Sequence, residues 1–534
     1  MVKSNQSFKN SQASRKLKKL KQKLKQRKEK KERKLRPRIS SARHSRQYTD
    51  IILSDLGEGK TLLIHDEGES WRKRWAALGL FCALSCTQCC VWNTWGPIAK
   101  SVMEAFPTWN KTSVALLCNW GCITYLTCCL PCCWFLNETD LAIPLKLAAI
   151  LSTIATFIRC ISARDVIFTT MAHLAAIFNG LAGVIIGPAT ALVSAVWFSA
   201  GERTTATGIS SAFSQLGMAI SYVLGPALVG DPPHHHKRNK YNFHLVEVVD
   251  EPALLSSEKA LSFQNITIYQ TLLRIQIMSL MRIEFVIQAM VLIGVLFCFP
   301  KQSQISSSNI QVSTLGLWES LTKLIKHKSM WCLCLSAALT QGMTGPWLGM
   351  ITMAFGNAIT QDEADKLAFW TVIVSSILSL LASRVTDMFQ GHLKIAIGSL
   401  LITSAMMFLW IILLDSKVLV FHKDELYAAV ILGIATNWST PALFLELASE
   451  IAFPISEAIV GGYMIFLSNI VGTIFYLSYC IPGMEGRWST CLVFSNIVVG
   501  AIFIFYVEEQ YNRTQEENKM IPLINERQPN SINE

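Results

Sequence analysis

The chain has 534 residues, 51% hydrophobic and only 16% charged, with a mean hydropathy of +0.35. Soluble domains carry about a quarter charged residues, so the composition excludes a soluble enzyme and points to a multi-pass membrane protein. The formal charge of +11 does not imply nucleic acid, because residues 1–46 hold 19 Lys or Arg against two Glu, which leaves the remainder at −6.

The basic tail comes first. From Lys16 to Arg38 it is mostly Lys, Arg and Gln, with Leu17, Leu20 and Leu24 at helical spacing. It has too little apolar surface to build a core and is expected to be a disordered cytosolic arm facing anionic lipid headgroups. No apolar stretch follows the basic residues as a secretion signal requires. Two short patterns follow, Tyr48-Thr49-Asp50-Ile51 and Glu58-Gly59-Lys60-Thr61-Leu62-Leu63. They resemble the tyrosine-based and acidic dileucine signals that clathrin adaptors read. Residues 1–71 therefore read as a sorting tail, with the endosomal or lysosomal membrane as the expected destination and the plasma membrane as the second.

From Trp75 onward, apolar runs recur at about the 20-residue length that crosses a bilayer as a helix. They fall at 75–98, 112–135, 141–161, 166–192, 204–229, 282–299, 329–353, 367–384, 393–414, 425–447, 457–480 and 488–507. Longer connections at 230–281 and 300–328 divide these twelve spans into two sixes. The expectation is an all-α membrane protein on the major facilitator superfamily plan, with halves at 72–299 and 329–507, a loop at 230–281, a linker at 300–328 and a tail at 508–534. A central site then lies between the halves. Lys323, Lys326 and Lys328 in the linker, with the N-terminal Lys and Arg, place the linker and both termini in the cytosol by the positive-inside rule. The sequons at Asn110 and Asn265 then fall in luminal loops and read as glycosylation sites. The chain is expected to act as a monomer.

The first span closes on Val91-Trp92-Asn93-Thr94-Trp95-Gly96-Pro97-Ile98. Two indoles, an amide and a Gly-Pro break in an apolar run suggest a cavity wall. An indole face stabilises a cation or stacks on a flat ring, so Trp92 reads as a solute platform. Asn93, Gln215, Asn437 and Asn469 place amides in apolar spans, where each must meet a neighbouring helix, water or solute. Helix-to-helix packing is the plainer reading for any one of them. Gly345-Pro346 with Trp347 repeats the break in the seventh span, so Trp95, Gly96, Pro97, Gly345, Pro346 and Trp347 read as paired gates.

Proton coupling needs an ionisable group inside a span. Arg159, His173, Glu284 and Glu446 qualify; His173 and Glu446 are the candidates, Glu446 with a second role pairing with Lys394. Arg159 sits close enough to a span end to reach the interface by its long stem. Ten of the sixteen cysteines lie in the first two spans. Cys86-x-x-Cys89 and Cys129-x-x-Cys132 have metal-like spacing, but small apolar packing is the reading adopted. His234-His235-His236 reads as a solvated turn. No phosphate loop, nucleophile arrangement or carboxylate pair indicates an enzyme, and no metal or cofactor is expected.

The strings V-W-N-T-W-G-P-I, Asn179-Gly180-Leu181-Ala182-Gly183 and Trp197-Phe198-Ser199-Ala200-Gly201-Glu202-Arg203-Thr204-Thr205 resemble solute carrier family 49, the feline leukaemia virus subgroup C receptor-related transporters. The first of these and Phe466–Asn469 are most similar to its fourth member. The resemblance covers about residues 72–507 and implies a porter for a small organic solute. Pyridoxine-type vitamers exported with protons from lysosomes, choline, ethanolamine and haem are the candidates it brings. It also implies solute contacts for Trp92 and for Gln215 of Ser214-Gln215-Leu216-Gly217. The superfamily motif after the second span is degraded to Asn137-Glu138-Thr139-Asp140, while its second copy survives loosely as Asp387-Met388-Phe389-Gln390-Gly391-His392-Leu393-Lys394. A membrane receptor or scaffold without transport is the alternative.

Overall fold

A computed structural model describes residues 59–199, 201–230, 251–300, 316–355, 359–389, 391–478 and 487–516. The chain divides after Trp71 into two units, and the account that follows concerns the second, from Arg72. Tyr48, Ile51, Glu58 and the His234–His236 run lie outside the described residues. Leu62 and Leu63 fall in a stretch that is helical from Gly59 onward.

Helices account for the described chain because a lipid-embedded backbone must satisfy its own amides and carbonyls. In the first half they are α1 (Gly59–Trp92), α2 (Ala99–Ala105), α3 (Lys111–Glu138), α4 (Ala142–Arg159), α5 (Asp165–Trp197), α6 (Arg203–Leu228) and α7 (Glu251–Cys298). The connecting segment then carries α8 (Leu317–Lys326). The second half continues with α9 (Lys328–Gly349), α10 (Ile351–Phe355), α11 (Gln361–Met388), α12 (Leu393–Asp415), α13 (Lys423–Trp438), α14 (Pro441–Ala452), α15 (Glu457–Ser478) and α16 (Arg487–Phe505). Spans one to six are α1, α3, α4, α5, α6 and α7. Spans seven to twelve are α9, α11, α12, the α13–α14 pair, α15 and α16.

Among the described residues, ten helical stretches are long and apolar enough to cross a membrane, and α6 and α9 are the two spans that fall short. Both are rich in Ser, Thr, Gly and Gln, and both pack closely on neighbouring helices, although α6 leaves Phe213, Ile220 and Val223 exposed. A Cβ at Gly217 of α6 would lie 2.0 Å from the Cys86 carbonyl oxygen, and one at Gly342 of α9 would lie 2.5 Å from that of Ser468. Backbones this close leave room for glycine alone.

Two boundaries differ from the sequence expectation. The apolar run marks the sixth span from 282, but α7 is helical from Glu251 and its apolar membrane-length part begins at Ile268. Much of the expected loop is therefore helix. The tenth span is two helices rather than one, because Pro441 starts α14 after Ser439 and Thr440; proline fits a first helical turn and disrupts a helix interior.

The halves meet where α6 packs along α11, α3 along α15, and α5 on α15. Contacts between them include ends on the side where α1 enters the bundle, here the near side. Asp387 Oδ2 at the end of α11 accepts from the Thr205 backbone N–H at 2.7 Å and from its hydroxyl at 2.5 Å. The Cys129 and Cys133 thiols face the Gly462 and Ala458 carbonyls at 3.5 and 3.8 Å. Fifteen described cysteines are free, and no group of three metal-ligating side chains occurs among the described residues.

Candidate solute site

The site begins where α1 stops. The helix ends at Trp92, and residues 93–98 form turns before α2, so the break predicted at Gly96-Pro97 opens earlier, at Asn93. Trp92 is half-buried. Its Nε1 donates to the Cys118 carbonyl at 3.0 Å, and its ring packs against Gly121, where a Cβ would come within 2.2 Å of it. Asn93 Nδ2 donates to Ser221 Oγ of α6 at 2.8 Å.

Gln215, on the same helix as Ser221, reaches the other half. Its Nε2 donates to the Trp438 carbonyl at 3.0 Å, and Ser376 of α11 donates to its Oε1 at 3.4 Å. At the break between α13 and α14, Trp438 Nε1 donates to Thr344 Oγ1 at 3.0 Å. Gln341 of α9 donates to the Asn437 carbonyl at 3.2 Å and to Thr440 Oγ1 at 2.6 Å. A polar seam therefore runs from the broken first span through α6 to the broken tenth span and α9. Gln341 and Trp438 are absent from the sequence candidates. Gln341 carried the signal used for the others, an amide in an apolar run, one turn before Gly345-Pro346.

Other predicted residues lie elsewhere. Asn437 is fully buried beside this seam, with Thr344 donating to its Oδ1 at 3.3 Å, while its Nδ2 has no hydrogen-bond partner among the described residues. Asn469 Nδ2 donates within its own helix to the Ile465 carbonyl at 2.8 Å. Trp95 and Trp347 do not sit at an exposed interface. Trp95 is 3% exposed, packed with Trp109 at 5.3 Å and Phe168 at 6.1 Å between ring centres. Trp347 is fully buried against Phe355 and Phe408. Gly96 and Pro97 lie in the turn after α1, whereas Gly345 and Pro346 lie inside α9, which continues to Gly349. Asn110 is exposed and caps α3 by accepting from the Ser113 N–H at 2.8 Å. Asn265 lies in the helical start of α7.

The ionisable candidates sort by partner. His173 Nδ1 accepts from Trp120 Nε1 at 2.9 Å, which requires an unprotonated Nδ1. Arg159 does not reach for the interface: it pairs with Glu284 at 3.1 Å, each side chain 3% exposed. Glu446 pairs with Arg513 rather than Lys394. Arg513, from the segment after α16, also meets Glu450 at 3.2 Å and Glu457 at 3.3 Å. Lys394 Nζ instead donates to the carbonyls of Phe505 and Val507 at 2.9 and 2.7 Å. Gly391, at φ +93°, turns the chain between Asp387 and Lys394 in a conformation glycine adopts without steric cost. Thr204, Asp387, Glu446, Glu450, Tyr511 and Thr514 border a cavity of about 210 Å³ on the near side. Tyr511, beyond the spans, donates to Glu509; burial and that carboxylate push its phenol up.

No family model matches the chain. Two curated relatives, "solute carrier family 49 member 4 homolog" of Xenopus laevis and of Xenopus tropicalis, are 28% and 27% identical, over 86% and 83% of this chain and 97% and 92% of theirs. A "choline/ethanolamine transporter" of Danio rerio is 28% identical over 30% of this chain and 33% of its own. In structure, the chain is similar to the E. coli fucose:proton symporter with a TM-score of 0.59 at 12% identity, over 82% of this chain and all of that one. A second structure, of a major facilitator superfamily transporter in the outward conformation, gives 0.59 at 14% over 81% and 99%.

Proposed function

Starting from a multi-pass chain with the major facilitator fold and relatives in solute carrier family 49, we propose that it carries a small organic solute across a membrane by alternating access, with Trp92, Asn93 and Gln215 as solute contacts. The observation that carries this reading is the polar seam from Asn93 through Ser221 and Gln215 to Trp438 and Gln341. It joins breaks in two spans at the interface between the halves, beside a half-buried indole. A scaffold gains nothing from amides kept at that interface, since packed apolar residues hold helices together without an unpaired donor or acceptor.

Trp92 suits a quaternary ammonium or a protonated heteroaromatic ring, because its face stabilises a cation by about 0.5–2 kcal/mol. Pyridoxine-type vitamers and choline or ethanolamine are the solute classes proposed. Proton coupling through His173 or Glu446, an endolysosomal membrane, both termini cytosolic, and glycosylation at Asn110 and Asn265 complete the proposal. A panel of radiolabelled pyridoxine, choline and ethanolamine is the test, using a Leu62→Ala, Leu63→Ala variant sent to the plasma membrane, at outside pH 5 and 7.4. Uptake of one label above vector-only cells, faster at pH 5, is expected. Flat uptake of every label defeats the transporter reading, and retention of the variant inside the cell defeats the sorting proposal.

A further inference from the structure

The turn that carries Trp92 and Asn93 is gripped from behind by charge. Val91 lies in the last turn of α1, where the helix runs out of amide donors for its carbonyls. Arg159 Nη2 of α4 donates to the Val91 carbonyl at 3.1 Å. The same guanidinium bonds Glu284 Oε2 of α7 at 3.1 Å and lies over the Trp95 ring at 5.4 Å. The other oxygen of Glu284 accepts from the Thr94 hydroxyl at 2.6 Å. One buried ion pair from two other helices thus fixes residues 91, 94 and 95, which bracket Trp92 and Asn93 on both sides.

We propose that Arg159, Glu284 and Thr94 are positioning residues that set the geometry of Trp92 and Asn93 toward the solute; this rests on the reading of those two residues as solute contacts. An apolar pair of similar volume joins two helices as well as a buried ion pair does. What it cannot do is grip a carbonyl and a hydroxyl at defined angles on a third, broken helix. A planar guanidinium with several fixed donors and a carboxylate with two acceptor oxygens can. The pair is itself buried and reaches the solute only through the turn.

Thr94→Val removes the hydroxyl alone, and Glu284→Gln keeps an acceptor for Thr94 while releasing the charge on Arg159. For the label carried, each variant is expected to raise KM roughly tenfold, the size of one lost hydrogen bond to a charged group, with the maximal rate per folded transporter within about twofold. Hydrogen–deuterium exchange of a peptide spanning residues 91–98 should speed up in both variants, while in Thr94→Val, which leaves the Arg159–Glu284 pair intact, peptides from α4 and α7 keep the native rate. A role confined to joining α4 and α7 would instead loosen those helices in Glu284→Gln alone and leave KM unmoved in Thr94→Val. Native KM in Thr94→Val overturns the inference, as does native exchange over 91–98 in both variants, the latter even if neither pyridoxine nor choline is carried. Trp92→Leu is the separating control: native transport there defeats the solute reading itself, whereas its loss beside an unaltered Thr94→Val defeats only the positioning.

Discussion

Among the described residues, the buried charges Arg159, Glu284, Glu450 and Arg513 are paired, and the partners bear on what each residue does. Arg513 meets three carboxylates, Glu446, Glu450 and Glu457, while Thr514 adds bonds to both oxygens of Glu450. Removing one partner of a buried pair costs about 3–5 kcal/mol, because the others stay charged and unpaired. Arg513→Ala is therefore expected to lower the melting temperature of the purified protein by several degrees, and Arg513→Lys by less; equal melting of all three would contradict a structural role for the cluster. The sequence shows the carboxylates plainly, as ionisable groups at a span end. It hides their partner, because Arg513 lies past the last apolar run and nothing local marks it as buried. Trp92, Asn93 and Gln215 were legible for the opposite reason, since an indole or amide in an apolar run stands out against its neighbours. Trp95 and Trp347 have the same local signal as Trp92, and only packing separates the half-buried Trp92 from two indoles sealed in aromatic clusters.

At the level of elements, spans were readable from length and hydropathy, and breaks from proline and glycine. The first break falls within V-W-N-T-W-G-P-I but opens at Asn93, ahead of Gly96-Pro97. The seventh span behaves differently: Pro346 stays inside α9, followed by Met350 and the short α10, so the change of direction comes after the Gly-Pro pair. The break in the tenth span at Ser439–Thr440 is hidden because apolar stretches on both sides of Thr436-Asn437-Trp438-Ser439-Thr440-Pro441 together have the length of one span. The start of α7 was missed for the reverse reason. Its first turns carry Glu251, Ser256, Glu258 and Lys259, which hide a helix from any apolar criterion. A Cβ at Gly345 would meet Trp438 at 3.9 Å, an ordinary contact, so Gly345→Ala with Pro346→Ala fits without a clash and changes stiffness alone. This variant is expected to reach the membrane in native amount and to transport several-fold more slowly, as for removal of a proline kink. Native uptake rates would contradict a bending role for α9.

On the scale of the whole molecule, two six-helix halves are joined along α6–α11 and α3–α15. Thr205 and Asp387 fasten them on the near side: Asp387 of one half caps the start of α6 in the other, where the N-cap residue Glu202 makes no side-chain cap. A carboxylate there satisfies an amide the helix leaves unpaired and opposes the positive end of its dipole. The two-halves plan was legible because apolar runs and their spacing are set by bilayer thickness. The seam between the halves was legible only in part, because which polar residues meet depends on helix rotation, and a weakly amphipathic span does not record that in its sequence. Whether this interface carries a solute over the Trp92 face is decided most directly by transport in proteoliposomes reconstituted with wild type, Trp92→Phe and Trp92→Leu. Uptake of labelled pyridoxine or choline should fall moderately in Trp92→Phe, which keeps an aromatic face, and to the protein-free level in Trp92→Leu. Equal uptake by all three proteins would contradict a solute path at the break of the first span.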